Sequence, residues 1–288
     1  MVTTELLGEI LAIISAIFWA IGASVYKKGL ESTDVWSGNL MRTGFTSVGF
    51  IIFMLLKGSF FESLASFYPT LFFWLFVSGF FAFFLGDILY LVSLNEVGVA
   101  RAVPVSSTYP LFVALWAFLI YREEISFLLI VGTIMILFAI KLISEEENGS
   151  KESRKGIIFA LFAAICWSLS ITILDYLTNF LPSEAVAGFR FMIAFLLVSA
   201  VVKKRGFNFN RKAALWIGFG GMIVLVTSNY TFVEAIRIIG SAKVAPVSST
   251  YPVISAFFAA VFLKEKLTLK IILGTLLSVL GVLVVVIS

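Results

Sequence analysis

The heptapeptide Pro104-Val105-Ser106-Ser107-Thr108-Tyr109-Pro110 recurs letter for letter as Pro246-Val247-Ser248-Ser249-Thr250-Tyr251-Pro252. Its surroundings keep step. Gly98 pairs with Gly240, Ala100 with Ala242, Arg101 with Lys243, Glu123 with Glu265 and Gly132 with Gly274, all at an offset of 142. Upstream the offset becomes 148, where Gly8 pairs with Gly156, Trp19 with Trp167 and Arg42 with Arg190. The chain is therefore two copies of one unit, and a repeat on this scale decides architecture before any local signal does.

What the unit is follows from its apolarity. With 60% hydrophobic and 13% charged residues and a mean hydropathy of +1.07, the chain has too few polar side chains to cover a water-facing surface. A helix needs roughly 20 apolar residues to cross ~30 Å of hydrocarbon. Ten such windows occur, numbered here spans 1 to 10: 7–26, 35–56, 70–93, 99–120 and 126–143, then 156–177, 183–202, 213–236, 242–263 and 269–287. No alternating polar pattern of a barrel lumen is present. The first window lacks a basic leader and a small-residue cleavage site, so it reads as a span rather than a removable signal. The expectation is an all-α, multi-pass protein of the cell membrane.

Five spans per copy is an odd number, so the second copy enters the bilayer from the opposite face and the two repeats are inverted. That layout is typical of secondary transporters, with the site between the halves and access alternating as one rocks against the other. Residues 1–143 form the first repeat, 144–155 a polar linker and 156–288 the second. Lys and Arg in the loops give the orientation. Lys57, Arg122, Arg237 and Lys243 share the face of the termini, whereas fifteen of the 21 cations, Lys203 to Lys212 among them, share the other. Charge thus places the termini outside.

Several residues could carry chemistry. Pro110 lies about 18 Å into span 4, near the midplane, at 1.5 Å per residue. An interior proline there frees the carbonyl four residues back, that of Ser106, and in span 9 that of Ser248. Such a break is tolerated beside other helices or a watery cavity, and the hydroxyls of Ser106, Ser107, Tyr109, Ser248, Ser249 and Tyr251 lie at that depth. They read either as cavity lining or as a packing kink in which small residues let helices approach.

Ionisable groups within spans are costly and suggest function. Arg42 in span 2 and Asp87 in span 3 fall at about the same depth, ~10 Å from one surface, and are expected to pair. At the matching depth of the second repeat stands Arg190, but the residue matching Asp87 is Asn229. Arg190 must then find Glu234, find Asp175, reach interfacial water or hold an anionic group of a substrate. If transport is proton-driven, Asp87 and its partner Arg42 are the coupling candidates, with Glu234 in reserve. Trp19, Tyr90, Trp167 and Tyr230 also lie within spans rather than at the interfaces where such rings usually anchor; each either packs or stacks on a substrate.

With a single cysteine, Cys166, and no histidine, neither an internal disulfide nor a metal or haem signature is present. There is no phosphate-binding loop motif for a nucleotide-driven pump. Asp87 and Asp175 superficially suggest an intramembrane aspartyl protease, but paired carboxylates must share one site and these two are expected near opposite faces. A passive channel is the remaining alternative.

The chain resembles the ten-helix drug/metabolite transporters, the EamA family, over nearly its whole length. The resemblance rests on the duplicated Pro-x-Ser-x-x-x-Pro, on the breaks Tyr121-Arg122-Glu123 and Leu263-Lys264-Glu265, and on the glycine nine residues beyond each, Gly132 and Gly274. It implies export or exchange of a small metabolite, often an amino acid, through a cavity lined by spans 1, 3, 4, 6, 8 and 9, with Trp19, Tyr90, Ser107, Trp167, Tyr230 and Ser249 beside it. It also implies cytoplasmic termini, against the charge bias. The expected partners are a small-molecule substrate, the bilayer and, for coupling, protons; no nucleic acid and no cofactor are expected.

Overall fold

The computed structural model describes residues 2–121, 127–144 and 151–287, and their regular structure is helix with no strand. In chain order the first repeat comprises α1 (Val2–Leu30), α2 (Val35–Lys57), the short α3 (Ser59–Ala65), α4 (Pro69–Gly79), a π-helix π1 (Phe80–Gly86), α5 (Asp87–Val97), α6 (Val99–Ser106), α7 (Tyr109–Tyr121) and α8 (Phe127–Ser144). The second comprises α9 (Lys151–Thr172), α10 (Leu174–Leu177), α11 (Ser183–Arg205), α12 (Arg211–Ala213), the π-helix π2 (Ala214–Gly220), α13 (Gly221–Ile239), α14 (Ser241–Ser248), α15 (Tyr251–Phe262) and α16 (Leu269–Ile287).

Among the described residues, six segments are long and apolar enough to cross a bilayer: Thr4–Leu30, Val35–Lys57, Pro69–Val97, Arg154–Leu177, Ser183–Arg205 and Arg211–Ile239. Spans 4, 5, 9 and 10 are built from shorter pieces or shorter helices. The protein is a multi-pass integral membrane protein. Within the polar run 144–155, α9 begins at Lys151; residues 145–150 lie outside those described.

Local sequence explains where helices stop. Asp34 caps α2, its carboxylate accepting the N–H groups of Trp36 and Ser37 at 3.0 Å each, and Gly58 ends that helix in the left-handed region. Asn210 caps α12 in the same way. The paired Gly98 and Gly240 adopt φ of +78° and +79°, with an extended ψ that is essentially restricted to glycine. These two residues turn the chain from span 3 into span 4 and from span 8 into span 9.

The duplicated motif breaks its helix completely, where an interior proline predicted a kink within a continuous span. α6 stops at Ser106 and α7 starts at Tyr109, placing Pro110 in the first turn, where a missing N–H breaks no hydrogen bond. α14 and α15 repeat this at Ser248 and Tyr251, with Pro252 second in its helix.

The helices interlock across the repeats. α1 packs along α13, and its counterpart α9 packs along α5 and π1; α2 pairs with α11, α6 with α15, and α8 with α16. The α1–α13 and α5–α9 contacts are twins generated by exchanging the repeats, as are α1–α15 and α7–α9. Gly8, Ala12, Ala16, Ala20 and Ala23 form the buried side of α1, and small side chains of this kind let backbones approach where lipid supplies no hydrophobic drive. A Cβ on Gly8 would stand 2.7 Å from Ile239 Cγ2, and one on Gly22 2.7 Å from Val224 Cγ1. Large apolar side chains such as Leu56, Phe127, Phe162 and Leu269 face outward, as contact with hydrocarbon requires.

Candidate functional site

At the meeting point of the two repeats, eight spans enclose a cavity of about 90 Å³. A single water needs roughly 10–15 Å³ on that measure, so the space suits a small molecule. Among the described residues, spans 5 and 10 contribute nothing to the lining. The walls are aromatic: Trp19 and Tyr26 from span 1, Phe83 and Tyr90 from span 3, Trp167 from span 6, Phe232 from span 8, and the motif residues Tyr109 and Tyr251 from spans 4 and 9.

The rings are organised by the repeat. Trp19 lies 4.8 Å from Phe232, and the symmetry-related Trp167 lies 5.0 Å from Tyr90. Trp19 also meets Tyr251 edge-on at 5.9 Å. Such pairs are worth about 0.5–1.5 kcal/mol beyond their buried area, which holds the walls in place without a ligand.

Arg42 and Asp87 form the expected ion pair, with side chains 2% and 6% exposed. The pair is braced on both sides. Asn39 Oδ1 accepts from Arg42 Nε at 3.2 Å and from Nη2 at 3.0 Å, while Asn39 Nδ2 donates to the carbonyl of Phe83 at 3.2 Å. That carbonyl lies in π1, whose wider turn leaves backbone groups outside the ordinary α ladder. Trp167 Nε1 donates to the second oxygen of Asp87 at 3.2 Å, and the Arg42 guanidinium lies 4.9 Å from the Tyr26 ring centroid. Both oxygens of Asp87 are thus engaged.

Arg190 has a different environment. It is 3% exposed, and among the described residues it forms no salt bridge. Nη2 donates to Ser170 Oγ at 2.7 Å, the guanidinium lies 4.8 Å from the Phe83 ring centroid, and Nε is buried with no partner. Ser170 is itself held by Ser78, the two hydroxyls 2.7 Å apart. Asn229, standing where Asp87 stands in the other repeat, turns back to donate to the Leu225 carbonyl of its own helix at 3.1 Å. The carboxylates considered as partners are committed elsewhere. Glu234 pairs with Arg237, and Asp175 accepts from the backbone and hydroxyl of Ser241 at the start of α14.

The remaining expected site residues fall outside the lining. Ser106 and Ser107 return their hydroxyls to the Val103 carbonyl, and Ser248 to that of Val244. Ser106, Ser107, Ser248 and Ser249 are almost fully buried; Ser248 supports a cavity tyrosine, its Oγ 2.9 Å from the Tyr109 hydroxyl, and Tyr251 lies beside Ser106 and Ser107. Each copy of the motif thus meets the tyrosine of the other. Tyr230 faces away, packing edge-on against Phe53 at 4.9 Å under Lys57. Asp87 and Asp175 do not share a site, since only Asp87 lines the cavity. Tyr26, Phe83, Ser170 and Phe232 are lining residues that sequence reasoning missed. Of these, Ser170 left a trace, because its counterpart at the offset of 148 is Gly22.

Comparison with known proteins agrees with this architecture. The sequence model of the EamA-like transporter family matches twice, over residues 6–145 and 154–287. An uncharacterized transporter of Archaeoglobus fulgidus is 32% identical over 96% of this chain and 97% of its own length. Protein LicB of Haemophilus influenzae is 24% identical over 96% of both chains. A protein of known crystal structure, 18% identical, shares the fold with a TM-score of 0.65 over 99% of this chain and 96% of its own.

Proposed function

The chain belongs to the EamA-like transporter family, and from that premise we propose that it is a secondary active exporter or exchanger. Its cargo is a small metabolite, an amino acid or a related zwitterion or anion, carried through the central cavity as the two repeats alternate access. The observation that carries this reading is Arg190, a buried guanidinium facing the cavity with an unpartnered Nε. A cation in low dielectric without a counter-ion is strongly disfavoured, and a bound cargo is what would complete it.

Asp87 is the proton-coupling residue in this reading. Its partner Arg42 belongs to span 2 and Asp87 to span 3, so rocking that separates these spans would remove the cation that keeps the carboxylate ionised. Glu234, paired at the end of α13 with Arg237, leaves that role to Asp87.

The test is counterflow in proteoliposomes preloaded with a mixture of unlabelled amino acids and organic acids. Uptake of a labelled member of the mixture is expected to saturate and to be accelerated by the internal pool. Flux that rises linearly with concentration and ignores the internal pool would identify a passive channel instead.

A further inference from the structure

The charges around the cavity do not balance, and the imbalance selects the cargo. Arg42, Asp87 and Arg190 are the ionisable Lys, Arg, Asp or Glu side chains among its lining residues, one carboxylate against two guanidiniums. Asp87 gives one oxygen to Arg42 and the other to Trp167. Among the described residues it forms no hydrogen bond or salt bridge with Arg190. The site therefore holds one uncompensated positive charge, located on a side chain that Ser170 and the face of Phe83 fix in position.

We propose that the transported molecule is a monoanion, a carboxylate docked on Arg190, with an apolar or aromatic body and no ammonium group. This deepens, and rests on, the reading of the cavity as the transport site. A guanidinium presents five N–H donors, and among the described residues Arg190 uses one of them, toward Ser170. The remaining donors suit a two-pronged contact with a carboxylate. One added negative charge brings the cavity to neutrality.

A zwitterion would leave the imbalance in place and add an ammonium that needs its own partner. Both oxygens of Asp87 are taken, so an ammonium would meet no free carboxylate in the lining, only ring faces and neutral oxygens. The body of the molecule meets Trp19, Tyr90, Trp167 and Phe232, whose rings offer area for stacking.

Three probes with one phenyl body separate the alternatives: L-3-phenyllactate, an anion at pH 7; L-phenylalanine, in which an ammonium replaces the hydroxyl; and 2-phenylethylamine, a cation. Binding to the purified full chain is read from tryptophan fluorescence and from thermal stabilisation, which binding raises by mass action. Phenyllactate is expected to bind at least about tenfold more tightly than phenylalanine. R190Q is expected to lose roughly tenfold or more of that affinity, and R190K several-fold, because an ammonium keeps the charge but lacks the fork. Without ligand, R190Q should melt no lower than the parent, since it removes an unpaired buried charge.

Phenylalanine binding as tightly as phenyllactate, equal phenyllactate binding by R190Q, a ligand-free R190Q that melts well below the parent, or no binding of any probe would each overturn the proposal. If R190Q cannot be purified, undiminished binding by R190K does the same. Counterflow keeps this apart from the transport reading. Phenyllactate that binds through Arg190 without exchanging across proteoliposomes leaves the anion site standing and removes the transport role of the cavity. Phenylalanine that exchanges while phenyllactate does not leaves transport standing and removes the anion site.

Discussion

Glu265 lies across the start of α6, its two carboxylate oxygens accepting the backbone N–H groups of Val99 at 2.9 Å and Ala100 at 2.8 Å. The contact ties the end of span 9 to the start of span 4, on the face that carries most of the lysines and arginines. Gly98 admits it, for a Cβ there would stand 2.9 Å from Glu265 Oε1. Towards the other face Asp175 makes a comparable contact with Ser241. In the alternating-access mechanism proposed above, such ties would release in turn. E265Q replaces a charged acceptor at a helix N-terminus with a neutral one, a loss of about 1 kcal/mol, and should shift the population toward the form open on that face by about fivefold. A cysteine placed at Ile171 in a C166S background is expected to react faster with a maleimide applied from that side; an unchanged rate would remove Glu265 from gating.

Tyr109 should show coupling with Ser248. Ser248 also donates to its own helix, so Y109F strands no buried group and is expected to lower stability by only about 1 kcal/mol. S248A should do much the same, and the double variant should lose less than the sum, by at least about 0.5 kcal/mol. Strict additivity in thermal melts would mean that the two hydroxyls act independently.

The Arg42–Asp87 pair predicts a rescue. D87N alone leaves Arg42 buried beside a second unpaired arginine, and breaking a buried pair in this way costs roughly 3–5 kcal/mol. R42Q/D87N removes both charges together and is expected to recover most of that stability. In proteoliposomes the double variant should exchange cargo at equal pH yet fail to accumulate it against a pH gradient. Full pH-driven accumulation would show that Asp87 does not carry the coupling proton.

The α8–α16 pair predicts damage to stability without damage to the site. A Cβ on Gly132 would stand 2.7 Å from the carbonyl oxygen of Gly281 and 2.9 Å from the backbone nitrogen of Val285, atoms that cannot move without displacing a helix. Gly132→Ala is expected to cost about 1–3 kcal/mol. Neither helix contributes to the cavity, so protein that survives purification should keep the parent affinity for its ligand. A change in affinity with no change in melting temperature would contradict this division of roles.

How much of this the sequence disclosed depends on whether a feature is periodic. The offset of 148 pairs Trp19 with Trp167 and Arg42 with Arg190; the structure sets the tryptophans against matching rings but gives the two arginines different partners. Equal depth was enough to match Arg42 with Asp87, because a buried ion pair has few alternatives in hydrocarbon. Arg190 was identifiable from what it lacked. The serines of the motif were legible as polar groups at the midplane but not as supports, since whether a hydroxyl faces a cavity or returns to its own helix is decided by a rotamer. Phe83 was hidden for another reason. It sits in π1, and a wide turn shifts the angular position of every residue beyond it, so helical spacing no longer tells which face a side chain occupies. The full break at Ser107 and Thr108 was misjudged because an interior proline permits either a kink or a new start, and the sequence alone does not choose.

The exchange of partners between repeats constrains how the protein is made. α1 is complete at Leu30, but its companion α13 ends at Ile239, and at about 5–20 residues per second the ribosome needs on the order of 10–40 s to reach it. Throughout that interval the small-residue stripe of α1 faces lipid or an insertion factor instead of the helix it was shaped for. Residues 1–143 made alone should therefore be degraded or aggregate, and regain a protease-resistant form when residues 151–288 are made in the same cell. The cavity cannot be complete at any point before the ninth span, which brings Tyr251, has left the ribosome.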